Sequence, residues 1–245
     1  MSIIIVSPSC TADSAKDLAN WLDIDYLPID KYINDHEFWD HYKIINWGCS
    51  KIPHTQAKNI ILNQPRSIRR SLNKIRTFEL LSDKVRMPIM SLDKQEAIGW
   101  AMTGRRVVCR ELAKSCKSRG ITITNLITDI ESIPAKFYTR FIANCTEYRI
   151  NVYKGKVYTV YRKDPCGGDF RFKIQLNKEE EYQTAVQDMI TAVHEHIGLD
   201  MFGLDVLQSP KGKWFLLEVN SAPILFPITY KRLANKIKQE FIING

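Results

Sequence analysis

The chain has 245 residues, a hydrophobic content of 44% and a formal net charge of +8. This composition predicts a soluble globular protein with a real core, and no apolar run approaches the roughly 20 residues of a membrane span. The six cysteines form no CxxC pair, which favours reduced thiols in a cytoplasmic protein over a disulfide framework or zinc site. The basic surplus fits an acidic or polyanionic partner without identifying it.

The N-terminal quarter predicts a short strand–helix–strand unit. Residues 2–6 are mostly β-branched and predict a strand, and the lack of a basic start and a long apolar core argues against a signal peptide. A helix is expected from Asp13 to about Trp21, and a second strand from Tyr42 to Trp47. Much of 22–41 is expected to be irregular.

The next segment predicts a helix and then a strand–loop–strand unit. One helix is expected over about 65–83, because four apolar residues share helical spacing: Leu72, Ile75, Phe78 and Leu81. Farther along, residues 105–111 predict a strand that carries Arg110. A loop with small residues at 115–120 leads from it into another strand. Such a loop can present backbone N–H groups to phosphates.

A hairpin follows an apolar strand that we expect over 135–142. Residues 147–153 and 156–162 predict its two antiparallel strands, joined by a turn at Lys154-Gly155. Arg149 and Arg162 fall at the same end of this hairpin. Two guanidinium groups brought together repel each other unless an anion lies between them, so we expect an anion there.

Two helices are expected in the C-terminal third. The first runs from Glu179 to Ile197 with Gly198 as its C-cap, and six apolar residues form its buried stripe: Tyr182, Val186, Met189, Ile190, Val193 and Ile197. The second is a basic helix capped by Thr229 and ending near Ile242.

Between these helices the sequence predicts a second hairpin. Its strands are Phe202–Leu207 and Trp214–Asn220, and Ser209-Pro-Lys-Gly212 between them is typical of a turn. Period-two alternation predicts that two sets of apolar residues face the core, each on one strand: Leu204 and Val206, and Phe215, Leu217 and Val219.

The opposite face of this hairpin carries Asp205, Glu218 and Asn220. These three side chains converge if the register is offset, for example with Leu207 opposite Trp214. Two carboxylates and an amide oxygen suit Mg²⁺ that holds nucleotide phosphates. The alternative is an ordinary edge hairpin with solvated acids.

Asp205, followed by Leu-Leu-Glu218-Val-Asn220-Ser-Ala-Pro223, resembles the metal-binding signature of ATP-grasp ligases. Within that superfamily the chain is most similar to the RimK-like branch, which attaches glutamate to a ribosomal protein. The resemblance implies an α+β ATP-grasp fold, in which two α+β subdomains clasp ATP. It divides the chain into a short N-terminal α/β domain (1–66), a small subdomain (67–136) and a C-terminal subdomain with the metal site (137–245).

The resemblance also implies the site residues. Mg²⁺, or Mn²⁺, would be bound by Asp205, Glu218 and Asn220, with Glu218 bridging two ions. Nucleotide contacts are assigned to Lys74, Arg110, Lys117, Tyr138, Phe141, Ile142 and Leu217. The backbone of the 135–142 strand would pair with adenine, and Arg110 departs from the lysine that the family usually carries. Acyl-acceptor and phosphate groups would be held by Arg149, Arg162 and Arg171.

The implied reaction joins a carboxylate to an amine through an acylphosphate, at the expense of ATP, on a small-molecule, amino-acid, peptide or protein substrate. Two other functions stay open: a non-catalytic basic module on a decayed ATP-grasp, which would bind nucleic acid or protein, and an ATP-grasp kinase. The intact set of Asp205, Glu218 and Asn220 favours the ligase over a nucleic-acid partner. The sequence identifies neither the acid nor the amine, nor the oligomeric state.

Overall fold

The computed structural model describes residues 2–29, 41–53, 58–113, 120–166, 169–175, 178–223 and 225–243. Its strands form three sheets, which follow one another along the chain. In the described residues no helix is both long enough and apolar enough to pass through a membrane.

The first sheet is parallel, with strand order β2-β1-β3-β4. Its strands are β1 (Ser2–Ser7), β2 (Asp25–Pro28), β3 (Tyr42–Asn46) and β4 (Ile60–Leu62). Helix α1 (Ala12–Leu22) packs on it through Leu18 and Leu22, which share a core with Ile5 and Ile45. The expected β1, α1 and β3 are confirmed. In the segment 22–41, much of which was expected to be irregular, Asp25–Pro28 form β2, whose backbone pairs with β1. Residues 30–40 of that segment lie outside the described residues.

The single helix expected over 65–83 is two helices, α2 (Pro65–Leu72) and α3 (Lys74–Leu81). The backbone is extended at Asn73, with φ −94° and ψ 103°, and the Asn73 side chain accepts a hydrogen bond from the Arg76 N–H at 3.3 Å. Asparagine is a strong N-cap residue, because its side-chain oxygen satisfies a backbone donor of the new helix. This cap starts a second helix at Lys74.

The second sheet is antiparallel, with order β5-β8-β6-β7. Its strands are β5 (Met90–Ser91), β6 (Val107–Arg110), β7 (Ile121–Thr124) and β8 (Phe137–Arg140). Helices α4 (Lys94–Met102) and α5 (Ile127–Ser132) cover one face, where Ala97 and Ile130 share a core with Val107 and Tyr138. The expected strands β6, β7 and β8 are confirmed.

The third sheet is antiparallel, with order β11-β10-β9-β12-β13. Its strands are β9 (Thr146–Tyr153), β10 (Lys156–Cys166), β11 (Asp169–Ile174), β12 (Met201–Gln208) and β13 (Trp214–Asn220). One face is apolar, with Ile150, Leu204 and Leu216 fully buried in the largest core. That core is completed by α2, α3 and the long helix α6 (Glu179–Ala192), which a π-helical turn extends over Val193–Ile197.

The C-terminal helices agree with the sequence, with one correction. All six residues of the stripe expected on α6 and its π-helical turn are buried, and Gly198 ends the turn with φ +87°. Helix α7 spans Pro227–Ile237, so Thr229 lies in its first turn and is not the N-cap. The Thr229 hydroxyl accepts a hydrogen bond from the Phe226 N–H at 2.8 Å, which satisfies a donor at the helix start.

The register of the β12–β13 hairpin differs from the expected one. Leu207 pairs with Phe215, and a β-bulge at Leu217 then brings Glu218 opposite Asp205. The bulge inserts one extra residue, so the inward side chains of β13 are Leu216 and Val219. Without it, the pairing that starts at Gln208 and Trp214 would turn Glu218 toward the core.

Two glycine substitutions should change stability in opposite directions. Gly198→Ala should lower the free energy of unfolding by about 1 kcal/mol, because its φ is positive and a Cβ there would lie 2.9 Å from the Ser67 hydroxyl. Gly99→Ala, inside α4 with open space around it, should raise that free energy by about 0.5–1 kcal/mol. Urea unfolding measures both. Equal effects would contradict this account of Gly198.

Candidate active site

Asp205 is the centre of a polar cluster on the second face of the third sheet. It lies in β12 between Arg149 of β9 and Glu218 of β13, which are its direct cross-strand neighbours. The Arg149 guanidinium donates two hydrogen bonds to the Asp205 carboxylate, at 2.8 Å from Nε and 2.6 Å from Nη2. Lys163 Nζ lies 3.0 Å from the same carboxylate, and Asn220 Nδ2 donates to it at 3.1 Å.

The charge of Asp205 is maintained by these cations. Only 6% of the residue is exposed, and burial alone would raise the pKa of its carboxyl. The positive charges of Arg149 and Lys163, and the hydrogen bonds from both, more than offset that burial and lower the pKa to about 2. Asp205 is therefore an anion throughout the neutral range.

Glu218 is the more accessible carboxylate of the cluster, with 30% of its side chain exposed. Lys74 Nζ lies 3.2 Å from it, although Lys74 belongs to α3, which packs on the apolar face of the sheet. Lys74 is buried and is the first residue of α3, directly after the break at Asn73. The break between α2 and α3 thus delivers an ammonium group to the site.

Arg110, at the end of β6, brings a further cation toward Glu218. Burial lowers the pKa of its guanidinium, and the Glu218 charge partly offsets this. Its Nε is buried without a hydrogen-bond partner, and the guanidinium lies 5.7 Å from the centre of the Phe137 ring. A buried donor without a partner costs free energy, so this group is suited to accept an anionic ligand.

The donor set of Asp205, Glu218 and Asn220 fits a hard divalent cation. All three side chains lie on one sheet face, and Asn220 donates to Asp205 through its nitrogen, so that its amide oxygen is directed elsewhere. Carboxylate and amide oxygens are the ligands that Mg²⁺ prefers. Within the described ranges no group of three or more His, Cys, Asp or Glu side chains could hold a metal; this set has two carboxylates and an amide.

The candidate nucleotide residues lie around the end of β8 and on β13. Tyr138 is buried in the core beneath α4, so only its backbone can contact a ligand. Phe141 is half-buried, with the Arg106 guanidinium 4.2 Å from the centre of its ring, and Ile142 follows it. Leu217 is the half-buried bulge residue of β13. Lys117 lies outside the described residues.

The expectation that Arg149 and Arg162 hold an anion between them is wrong. A β-bulge between Val157 and Thr159 shifts the pairing of β9 and β10, so that Tyr161 lies opposite Arg149 and Tyr148 lies opposite Arg162. Arg162 is therefore on the other face, where its guanidinium donates to Asp164 at 2.7 and 3.0 Å.

Lys163 belongs to the polar cluster, although the sequence did not indicate it. The bulge that turns Arg162 away turns Lys163 toward Asp205, where it also pairs with Glu147. The dipeptide Arg162-Lys163 shows in the sequence that a cation lies near this position. Only the bulge determines which of the two side chains is directed toward the site. Arg171 lies in β11, and its side chain is outside the described part of the structure.

The first sheet is tied to the open end of the β12–β13 hairpin by Asn63, which directly follows β4. The Asn63 side chain is buried, accepts from the Met201 N–H at 3.0 Å and donates to the Met201 carbonyl at 2.6 Å. It also donates to the Ser221 carbonyl at 3.4 Å. Nearby, a Cβ on Gly48 would lie 2.8 Å from the Ala222 Cβ.

Residues 103–242, more than half of the chain, match the family model of the RimK-like ATP-grasp domain. The fold and the site thus define an ATP-grasp protein. The chain belongs to the RimK-like ATP-grasp family, whose members are ATP-dependent ligases. Among curated proteins, no sequence matches it.

Solved structures of ATP-grasp ligases share the fold at low identity. The ligase PsnB, complexed with a phosphomimetic variant of its minimal precursor, Mg and ADP, has a TM-score of 0.72 and 13% identity, over 99% of this chain and 98% of PsnB. The macrocyclase MdnC, bound with precursor peptide MdnA from Microcystis aeruginosa, has a TM-score of 0.66 and 12% identity, over 96% of this chain and 99% of MdnC. D-alanyl-alanine synthetase A from Vibrio cholerae has a TM-score of 0.60 and 14% identity, over 95% of this chain and 92% of the synthetase.

Asp205→Asn should be strongly destabilising in a pH-dependent way. At pH 7 it leaves Arg149 and Lys163 buried without their shared counter-ion, which should cost about 3 kcal/mol. The depressed pKa of Asp205 means that its carboxylate stabilises the fold fully above about pH 4 and loses this effect as the pH falls toward 2. The difference between wild type and variant should shrink by about 1 kcal/mol from pH 5 to pH 3.

Urea unfolding at these pH values provides the measurement. The matched control is Asp188→Asn, at an exposed position of α6. A wild-type advantage that is the same at pH 5 and pH 3 would contradict the role of the Asp205 charge.

Proposed function

We propose that this protein is an ATP- and Mg²⁺-dependent carboxylate–amine ligase. A substrate carboxylate attacks the γ-phosphorus of ATP and displaces ADP, which forms an acylphosphate. An amine then attacks the acyl carbon, the bond to phosphate breaks, and an amide, phosphate and a proton are released. The observation that carries this proposal is the convergence of Asp205, Glu218 and Asn220 with Lys74 and the cations around Asp205 on one sheet face.

Asp205, Glu218 and Asn220 would hold Mg²⁺, or Mn²⁺ in its place, and the bound ion would neutralise the ATP phosphates. Lys74 and Arg110 would bind the same phosphates from the side of Glu218. The nucleotide would lie between the proposed subdomains 67–136 and 137–245, with the backbone at the end of β8 against adenine. Lys74 is held in place by burial and by its ion pair with Glu218.

Arg149 and Lys163 would act on the reacting carboxylate. Their charged groups are fixed by Asp205, and only 11% of the Arg149 side chain and 9% of the Lys163 side chain are exposed. Cations that are already oriented in a site with little water stabilise developing negative charge without reorganisation. They would stabilise the transferring phosphoryl group and the tetrahedral adduct. Arg171 stays a candidate for the same role, and Arg162 would act only if β10 changed its register.

A peptide is the substrate class that we favour. PsnB and MdnC are complexed with precursor peptides, and each is covered by this chain almost from end to end. An amino acid is the alternative, since D-alanyl-alanine synthetase shares the fold as well. An ADP-release screen over amino acids and peptides, with and without Mg²⁺, tests the ligase reaction directly. ADP release that needs both a carboxylate and an amine would distinguish a ligase from a kinase.

Glu218→Gln should lower kcat/KM by about 10²-fold or more, equivalent to about 2.7 kcal/mol, because the amide cannot neutralise a metal or Lys74. The measurement is ADP release at saturating Mg²⁺, with the thermal midpoint as a check of folding. Glu181→Gln, at an exposed position of α6, is the matched control. Turnover at the wild-type rate in Glu218→Gln would remove the metal assignment.

Arg110→Lys should preserve most of the ATP affinity, whereas Arg110→Ala should weaken it about tenfold, because the alanine variant loses a charged donor at the end of β6 whose buried Nε has no partner in the protein. Calorimetric titration with ATP and Mg²⁺ measures the difference. Arg105→Ala, at an exposed position before β6, should bind ATP as the wild type does. If all three Arg110 forms bound ATP equally, Arg110 would not contact phosphate.

A further inference from the structure

A second basic concavity lies on the outer side of helices α2 and α3. It has a volume of about 350 Å³ and is lined by four arginines: Arg66, Arg69, Arg70 and Arg76. One carboxylate, Glu79, also lines it, so its charged side chains sum to +3. We call this concavity the arginine pocket. The active-site chemistry described above uses none of these residues.

Two of the four arginines in this pocket are anchored by backbone carbonyls. Arg69 Nη1 donates to the Ser50 carbonyl at 2.8 Å, and Arg70 Nη1 donates to the His196 carbonyl at 3.3 Å. Each bond uses one of the five N–H donors of a guanidinium group and leaves others for a ligand. The backbone thus holds these two guanidinium groups in a pocket of net positive charge, and an anion would relieve the repulsion among its cations.

The pocket already contains one pair of the kind that a ligand would make. Arg76 Nη1 lies 3.0 Å from Glu79 Oε2 on the same helix, so one guanidinium group of the pocket already binds a carboxylate. On α2, residues three and four positions apart lie about 5–6 Å from each other. Alternate side chains of an extended peptide lie about 7 Å apart. Two acidic residues of such a peptide can therefore reach two guanidinium groups at once.

The arginine pocket and the active site both lie next to the junction between α2 and α3. Asn73 and Arg76 line the pocket, and Lys74 between them extends to Glu218 in the active site. A chain that is bound in the pocket thus lies beside the helix that supplies Lys74. Its distal part can continue toward the site without a second binding surface.

We propose that the arginine pocket binds an acidic segment of the peptide substrate and so holds the substrate while another of its residues reacts. This inference rests on the proposed ligase function with a peptide substrate. A small concave pocket suits a few carboxylates better than duplex nucleic acid, which needs an extended basic surface to contact successive phosphates. Single phosphate groups match the same guanidinium forks and are therefore one arm of the test.

The probe is a fluorescent hexapeptide of alternating Glu and Ala, with its Gln counterpart, a short single-stranded oligonucleotide and inorganic phosphate as comparisons. Binding is measured by anisotropy without ATP, and phosphate and unlabelled oligonucleotide are used as competitors. The pocket variant is Arg66→Gln/Arg69→Gln. The control is Lys231→Gln/Lys236→Gln, which removes the same charge from exposed positions of α7.

The pocket variant should bind the Glu peptide about tenfold more weakly than the wild type, whereas the control should change the affinity less than about twofold. The Gln peptide should not bind. Equal affinity in the two double variants would overturn the proposal, and so would oligonucleotide or phosphate that binds more tightly than the peptide and is lost in the pocket variant.

Failure of the ligase proposal would be seen separately, as wild-type protein that binds the Glu peptide and releases no ADP on any carboxylate–amine pair. If the enzyme is active, the rate of ADP release with a carboxylate–amine substrate pair that lacks an acidic segment should be the same in the pocket variant and the wild type.

Discussion

The contact of Asp205 with Arg149 and Lys163 is the constraint on which the polar face of the third sheet depends. A buried carboxylate is stable only where cations compensate for its lost hydration, and here they come from β9 and β10, on the same side of β12. The apolar face beneath them is a continuous core with α3 and α6. Because the strands are fixed from that side, the ionic groups above them need no movement to face one another.

The sequence predicted a large part of the fold, for physical reasons that can be stated residue by residue. The apolar stripe repeats with helical spacing along α6 and its π-helical turn, and the turn at Lys154-Gly155 supplies the positive φ that a tight hairpin needs. Asp205, Glu218 and Asn220 stand out in the sequence because they are polar residues that interrupt apolar strands, and the structure brings them to one sheet face. Elements with short or mixed patterns, such as β2 and α4, carry no comparable signal.

The errors come mainly from single residues that change register. One bulge lies between Val157 and Thr159, and the other lies at Leu217. Each bulge shifts the alternation of faces by one residue. After the first bulge Lys163 faces the site in place of Arg162, and before the second bulge Leu216 faces the core in place of Leu217. Neither bulge contains a glycine that would mark it. Asn73 is a similar case, since one N-cap divides a periodic apolar pattern into two helices.

The bonds of Asn63 have a consequence for the modularity of the chain. Its amide satisfies backbone groups of Met201 and Ser221, both at the open end of the hairpin that carries the candidate metal ligands. A fragment that began after residue 63 would expose these groups and the tightly packed contact of Gly48 with Ala222. The N-terminal sheet thus forms part of the structure that supports the candidate active site. A chimera in which this sheet is replaced by that of a relative should keep the site intact only if the relative has Asn and Gly at the positions of Asn63 and Gly48.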